Sequence, residues 1–248
     1  MEENKTYTID QIKDLFRDNK QSKLIKLDLD PDLIIIEHRQ KTVLILAVEN
    51  KMVQLLELLL KKKPDLEHRS VDSRYFSSDG LNAFLYACLT DKRKIVELLL
   101  NAGADINSVS SKGRNGLMFA SYYGMHQMAS LLLEKGIEVN AQDNEGMTAL
   151  MHLGRWMLTN YSYIGEFELL DILPKHGAEL NIKDKEGQTA LTHYVKKGEF
   201  WWTQILLEKG ADPNVSDDNI LFAAENIENN SFIMKSLLKE YGAKEKPY

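Results

Sequence analysis

The chain repeats itself with a period of 33 residues, and this periodicity limits what it can fold into more than any other feature. A stretch with a leucine triplet at 98–100 and the ending Gly-Ala-Asp-Ile-Asn at 103–107 returns 33 residues later. The second copy has Leu-Leu-Leu at 131–133 and ends in Gly-Ile-Glu-Val-Asn at 136–140. Further endings of this kind lie at 177–181, 210–214 and 242–243. A period of about 20 to 50 residues is typical of arrays whose units stack on their neighbours.

These landmarks divide nearly the whole chain into about seven units, which we predict to form one domain of 1–248. The units span about 6–38, 39–71, 77–109, 110–142, 143–183, 184–216 and 217–248. Two insertions interrupt the period, near 71–78 and 154–164. Insertions in a repeat protein map to loops, so both are candidates for function. The alternative is a tolerated insertion that buries its aromatic side chains against neighbouring units.

Each unit reads as two short helices and a turn. Small and apolar residues around Ala149 indicate a first helix, and Gly198 breaks the chain before a second one. The leucine triplet at 131–133 lies on a second helix, which Gly136 ends. The turn that follows reads Asp-Asn-Glu-Gly at 143–146, where glycine supplies a left-handed backbone.

The period, the helix–glycine–helix layout, the ending Leu-Leu-Leu…Gly-Ala-x-x-Asn and the opening Gly-x-Thr-Ala-Leu at 146–150 and 187–191 resemble the ankyrin-repeat family. The resemblance covers about nine-tenths of the chain. It implies an all-α fold, an α-solenoid of helix-turn-helix units with β-hairpin fingers at the unit junctions. Since no unit buries its apolar face alone, stacked neighbours share one core.

The terminal units depart from the pattern as caps do. Thr8 to Gln11 form a capping-box sequence at a helix start, and the last unit carries Lys235, Lys239 and Glu240 on its outer side. A polar outer face keeps the end of an array from pairing. We therefore expect the chain to be a monomer by itself.

Residue types that carry catalysis or bind metals form no recognisable motif. The sequence has no His-Glu-x-x-His, Cys-x-x-Cys, Gly-x-Ser-x-Gly or phosphate-binding loop. His152 and His193 occupy equivalent positions of two units, so the repeat itself explains them. Cys88 falls at a small-residue position of a first helix, where a packing role is expected. We predict no enzyme activity, no catalytic residue, no metal site and no cofactor.

Net charge and hydropathy limit the classes of partner that we expect the chain to bind. With 31 basic and 37 acidic residues, the net charge of -6 argues against a broad nucleic-acid surface. The longest apolar runs, 33–36 and 43–48, are far shorter than the roughly 20 residues of a membrane span. The N-terminal sequence lacks the pattern of a signal peptide. We expect no nucleic acid, no membrane, and a cytoplasmic location or delivery into a host cell without a classical signal peptide.

The resemblance also implies where a partner binds, on the concave face built from finger tips and first-helix surfaces. Tyr122, Tyr123 and Trp156 fall at equivalent positions there, flanked by Arg114 and Arg155, and such residues dominate interface energetics. The candidate partner-binding residues are Leu81, Leu89, Lys112, Arg114, Tyr122, Tyr123, Asn144, Glu145, Met147, Arg155, Trp156, Lys185 and Gln188. Arg74, Tyr75 and Phe76 of the first insertion are secondary candidates.

The sequence thus predicts a non-catalytic protein–protein interaction module that acts as an effector, an inhibitor or immunity-type protein, or a scaffold. One alternative is an enzyme with unrecognised chemistry near the 154–164 insertion, and another is a self-assembling array. Trp202 aligns with core positions of the second helix. Trp201 aligns with outward positions, so we expect it to be an exposed contact or a cover for the inserted segment.

Overall fold

The computed structural model describes residues 7–36, 40–70, 80–153, 164–227 and 230–245 of the 248-residue chain. These residues are mostly helical, and they group into two compact units, 1–116 and 117–248. The second unit begins within one residue of a helix start. The single domain expected from the sequence stays a prediction.

The described residues of unit one form three helical pairs and a short hairpin. Its helices are α1 (Ile9–Arg17), α2 (Gln21–Leu24, continued by a 3-10 turn over Ile25–Leu27), α3 (Val43–Glu49), α4 (Val53–Leu60), α5 (Ala83–Leu89) and α6 (Arg93–Asn101). Strands β1 (Ile34–Ile36) and β2 (Lys41–Thr42) pair antiparallel, with Ile34 opposite Thr42. Ser70 and Leu81, on either side of the first insertion, exchange backbone hydrogen bonds of 2.8 and 2.9 Å.

Unit two continues the same alternation of first and second helices. Its helices are α7 (Gly116–Tyr122), α8 (His126–Glu134), α9 (Ala149–His152), α10 (Ile164–Lys175), α11 (Ala190–Lys197), α12 (Phe200–Glu208), α13 (Ile220–Glu225) and α14 (Ser231–Glu240). In the part of the chain that the structure describes, β1 and β2 form the one sheet. The predicted all-α class with helix-turn-helix units is confirmed.

Five first helices begin in one way, with a short polar side chain just before the helix. This residue accepts a hydrogen bond from the backbone N–H three residues later, which satisfies a donor that the helix leaves open. The N-cap residues with this bond are Thr42, Asn82, Thr148, Thr189 and Asn219. The capping box expected at Thr8 is also present, with Gln11 as its reciprocal partner. Losing such a cap typically costs about 1 kcal/mol.

The turn between first and second helices uses a left-handed residue. Gly124 and Gly198 take φ values of 67° and 73°, as expected from their position in the pattern. In unit one the same step falls on Lys51 and Asp91, at 56° and 51°. A side chain at such a φ is strained, so the glycines relieve strain that unit one retains.

In unit two, the asparagine that ends a repeat joins it to the next one. In unit two, Asn140 Nδ2 donates to the Gly177 carbonyl at 3.0 Å, and Asn140 Oδ1 accepts the Glu179 N–H at 2.9 Å. Asn214 makes the same two bonds with Gly242 and Lys244, at 3.0 and 2.8 Å. The repeated Asn therefore fixes the spacing between neighbouring pairs.

The core consists of small and apolar side chains from both helices of each pair. Trp202 is 2% exposed and lies 5.3 Å from the ring of buried Tyr194, which confirms its predicted core position. Trp201 is 65% exposed. Cys88 is fully buried, and burial raises the pKa of its thiol, in line with a packing role.

Candidate partner-binding surface

The finger after α8 is held by one carboxylate. Asp143 Oδ1 accepts the backbone N–H groups of Glu145 at 2.9 Å and Met147 at 3.0 Å. The Asp143 N–H donates to the Met147 carbonyl at 3.0 Å, and the Gly146 N–H donates to the Asp143 carbonyl at 2.8 Å. Four bonds across five residues leave this turn little conformational freedom.

Two further fingers repeat this geometry. In unit two, Asp184 Oδ1 accepts from the N–H groups of Glu186 and Gln188, both at 2.9 Å. In unit one, the Ser110 hydroxyl takes the same place and accepts from Lys112 and Arg114 at 3.3 Å. A hydroxyl is a weaker acceptor than a carboxylate, so the Ser110 turn is held less tightly.

The second oxygen of each aspartate meets a histidine. His152 Nε2 lies 2.8 Å from Asp143 Oδ2, and His193 Nε2 lies 2.6 Å from Asp184 Oδ2. Burial by itself would raise the pKa of Asp143, but hydrogen bonds from His152, Met147 and Glu145 outweigh it and lower that pKa. The two equivalent histidines therefore tie each finger to its first helix.

Neighbouring fingers in unit two lie against each other. The Lys185 N–H donates to the Glu145 carbonyl at 3.0 Å, and Gln142 Nε2 donates to the Lys183 carbonyl at 2.9 Å. Gly146 has a φ of 78°, and a Cβ there would stand 2.8 Å from the Lys185 nitrogen. Both the backbone conformation and this close approach require glycine.

The predicted site residues differ in exposure. Asn144, Glu145 and Lys185 are exposed at finger tips of unit two, and Lys112 and Arg114 are half-buried on a finger of unit one. Four candidates are buried, with exposed fractions of 3 to 7%: Leu81, Leu89, Met147 and Gln188. Their backbone positions match the pattern, but their side chains point into the core. These four side chains therefore offer a partner almost no surface.

Of the predicted aromatic centre, the structure describes Tyr122 and Tyr123. Tyr122 and Tyr123 are both half-buried, and their rings meet edge to face with centroids 5.0 Å apart at 73°. Arg155 and Trp156 lie outside the described residues, as do the secondary candidates Arg74, Tyr75 and Phe76.

Two charged side chains that the fold buries were not predicted from the sequence. Lys41 is 0% exposed and pairs with Glu49 at 2.7 Å, while Lys92 is 9% exposed and donates to the carbonyls of Val48 and Glu49 at 2.7 Å. Both lysine nitrogens lie over the Tyr86 ring, at 5.3 and 5.6 Å from its centroid. A signal was available, since Lys41 directly precedes an N-cap threonine and a continuous apolar run.

Within the described ranges, no group of three or more His, Cys, Asp or Glu side chains could hold a metal ion. Of the helices described, none is long and apolar enough to cross a membrane.

Comparison with known proteins bears directly on the repeat pattern. A family model described as "Ankyrin repeats (3 copies)" matches residues 15–110 and 157–246. A second model, "Ankyrin repeats (many copies)", matches residues 117–153. No curated protein matches the chain. The family models together cover well over half of the sequence.

Proposed function

Because this chain belongs to the ankyrin-repeat family, whose members are generally protein–protein interaction modules, we propose that it is a non-catalytic module that binds another protein. The contact surface is the concave face of the family, made of finger tips and first-helix surfaces. Its role is that of an effector, an inhibitor or immunity-type protein, or a scaffold. The partner is a protein rather than a nucleic acid or a membrane.

The observation that carries this proposal is the rigidity of the fingers. Asp143 and Asp184 each hold a turn by two backbone N–H donors and a histidine. Ordering a loop on binding opposes affinity, so turns that are ordered beforehand favour it. The exposed tips carry a carboxylate on Glu145 and an ammonium on Lys185, which suits a polar rim.

Tyr122 and Tyr123 supply the anchor of this surface in unit two. Their edge-to-face contact restricts both rings, so a partner meets a fixed aromatic shape. Half-buried tyrosines of this kind are enriched at interface centres, where truncation often costs about 2 kcal/mol or more. That loss corresponds to roughly thirtyfold in affinity.

The proposal is tested by quantitative pull-down with three baits and the wild type. One bait carries Tyr122→Ala and Tyr123→Ala, and a second carries Glu145→Lys and Lys185→Glu. The control is Trp201→Ala, which removes an aromatic side chain that is 65% exposed but lies on a second helix. Circular dichroism checks that every bait is folded.

We expect a protein that the wild type and the control enrich equally and that both site variants lose. Equal capture by all four folded baits would overturn the proposed surface. Capture of no protein by folded wild type would overturn the binding function. The enzyme alternative concerned the 154–164 insertion, of which residues 154–163 lie outside the described ranges, and the described residues provide nothing in its favour.

A further inference from the structure

The last finger of unit two is shorter than the one before it. Eight residues lead from Asn181, which ends one repeat, to Thr189, the N-cap of α11. Only five lead from the equivalent Asn214 to Asn219, the N-cap of α13. The finger before α13 is therefore three residues shorter, and this difference lies within the chain rather than at its end.

The first helix that follows the short finger also lacks a ring that its predecessors carry. The fourth residue after the N-cap is His152 in α9 and His193 in α11, and each imidazole bonds the aspartate of its own finger, at 2.8 and 2.6 Å. The equivalent residue of α13 is Ala223. A methyl group thus stands where two earlier repeats place an imidazole and the finger that it holds.

The shortened turn is bonded to the preceding finger. The Asp217 N–H donates to the Gly187 carbonyl at 2.9 Å, and the Ser216 hydroxyl donates to the same carbonyl at 3.3 Å. Lys183 Nζ lies 2.7 Å from Asp217 Oδ1. These bonds hold the turn beside the finger that precedes α11, and a cavity remains beside α13.

This cavity has a volume of about 310 Å³ and runs along α13. It reaches from Asn219 to Asn226, seven residues later, which corresponds to about 10 Å of helix. The volume is at the lower end of ligand pockets, which run from about 300 Å³, and suits one side chain. The described residues that line it belong to two first helices, their caps and the shortened turn: Lys196, Asp218, Asn219, Phe222, Ala223 and Asn226.

The wall combines an apolar surface with charges that are paired. Phe222 and Ala223 supply the apolar surface, and Lys196 Nζ lies 2.7 Å from Asp218 Oδ2. A charged guest would lose water in a site that offers it no net countercharge. A neutral ring with one polar hydrogen avoids this cost, because a carboxylate accepts more than one hydrogen bond.

We propose that this cavity takes a tyrosine side chain of a partner protein. The ring packs on Phe222 and Ala223, and the phenol hydroxyl donates a hydrogen bond to the Asp218 carboxylate. Tyrosine suits such a site, since it joins an apolar ring to a polar tip. The inference rests on the proposed function, whose contact surface consists of first-helix and finger residues, and it adds an anchor point besides Tyr122 and Tyr123.

A tyrosine fragment tests the site without the partner. The probe is N-acetyl-L-tyrosinamide, titrated into the isotope-labelled full chain. The readouts are the NMR signals of the Asn219 and Asn226 side-chain amides and of the Ala223 backbone amide, and we expect saturable shifts at all three. N-acetyl-L-phenylalaninamide, which lacks the hydroxyl, should bind at least about fivefold more weakly, the equivalent of a hydrogen bond worth about 1 kcal/mol. N-acetyl-L-leucinamide should cause no saturable shift.

Two variants and a control locate the bound probe. Ala223→His restores the ring of the earlier repeats, fills the cavity and should abolish the saturable shifts. Asp218→Ala removes the acceptor and should make the tyrosine and phenylalanine probes bind equally. Ala102→His, the same exchange at an exposed position of unit one, should leave probe binding unchanged. Circular dichroism checks that each variant is folded.

Three results would overturn the proposal. They are no saturable shift with the tyrosine probe, binding to Ala223→His as tight as to the wild type, and a phenylalanine or leucine probe that binds as tightly as the tyrosine probe. Capture of a partner protein is a separate result. A chain that captures no protein can still bind the probe, and a captured protein can depend on Tyr122 and Tyr123 alone.

Discussion

Tyr86 and Tyr194 are each buried on a first helix, one in each compact unit, and their surroundings differ in charge. In unit one, the Tyr86 ring lies beneath the ammonium groups of Lys41 and Lys92, which are both buried. In unit two, the Tyr194 hydroxyl donates to the Leu150 carbonyl at 2.6 Å, and its ring packs on Trp202. Lys197 Nζ also lies over the Tyr194 ring, 5.8 Å from its centroid, but Lys197 is exposed, whereas both lysines over the Tyr86 ring are buried.

The difference shows how a buried cation is accommodated. Lys92 donates to the last carbonyls of α3, where the helix dipole favours positive charge, and the aromatic face adds to this attraction. Lys41 has Glu49 as counter-ion. The stability of the lysine site in unit one therefore depends on pH and on each of its partners. The stability of the ring pair in unit two depends on how closely the rings pack.

The largest effect is expected from removing the aromatic contact of unit two. Trp202→Ala should lower the free energy of unfolding by about 5 kcal/mol, because it leaves a large cavity in the core. Urea denaturation measures the change. The neighbouring Trp201→Ala is the control and should change stability by less than about 0.5 kcal/mol, since Trp201 is 65% exposed. Similar losses from both variants would contradict the packing described for Trp202.

The second-largest effect is expected from removing the Glu49 carboxylate, the counter-ion of Lys41 in unit one. Glu49→Gln leaves the Lys41 ammonium buried without its carboxylate, and we expect a loss of about 4 kcal/mol at neutral pH. Glu57→Gln, an exposed position on α4, is the matched control for the same chemical change. If both variants were equally stable, the pair between Lys41 and Glu49 would contribute nothing.

At alkaline pH, the titration of Lys92 is expected to change the free energy of unfolding, a further difference between the two units. Burial, followed by the nearby charge of Lys51, lowers the pKa of Lys92 to about 8, with Glu49 opposing and Lys41 adding to the shift. Between about pH 8 and 10.5 the unfolded chain then binds more protons, so the free energy of unfolding rises with pH. The rise is at most about 3 kcal/mol, from about 1.4 kcal/mol per pKa unit.

Denaturation curves of wild type and Lys92→Met across this range isolate the contribution. The difference between the two proteins should change through the window and level off below about pH 8. A difference that stays constant from neutral pH upward would show that Lys92 keeps an ordinary pKa in the fold.

The smallest effect concerns the acid side of unit two. The pKa of Asp143 is lowered in the fold, so its contribution is present above its ordinary value of 3.8 and is lost as pH falls through the folded value. Asp143→Asn should cost about 1 kcal/mol at neutral pH, as loss of a charged hydrogen-bond acceptor does. The wild type should approach the variant in stability at acid pH, and a gap that persists there would contradict this role.

Most of the fold could be predicted, because its determinants are local. The threonine or asparagine N-caps of first helices, the left-handed residues between helices and the aspartate or serine of a finger act within about five residues. Their hydrogen bonds are visible as sequence patterns. The polar end expected from Lys235, Lys239 and Glu240 was harder to judge, because the sequence does not show that Phe222 and Phe232 are exposed as well.

The candidate site was predicted less well. Repeat alignment places a residue on an element, but it does not tell whether the side chain is covered by the next element. Leu81 and Leu89 occupy expected positions and are buried, while Tyr122 and Tyr123 remain half-exposed. Sequence alone cannot separate these cases, because burial depends on packing between units.

The sequence by itself determined the period, the helix-turn-helix layout of a unit and the turns at its junctions, since these depend on residues close in the chain. The tertiary structure decided which side chains are buried and how their charges are paired. Lys92 reaches the carbonyl of Val48, 44 residues away, and Tyr194 reaches Leu150 across the same separation. Only the stacking of one helical pair on another brings such groups within hydrogen-bonding distance, and that stacking sets their charge and exposure.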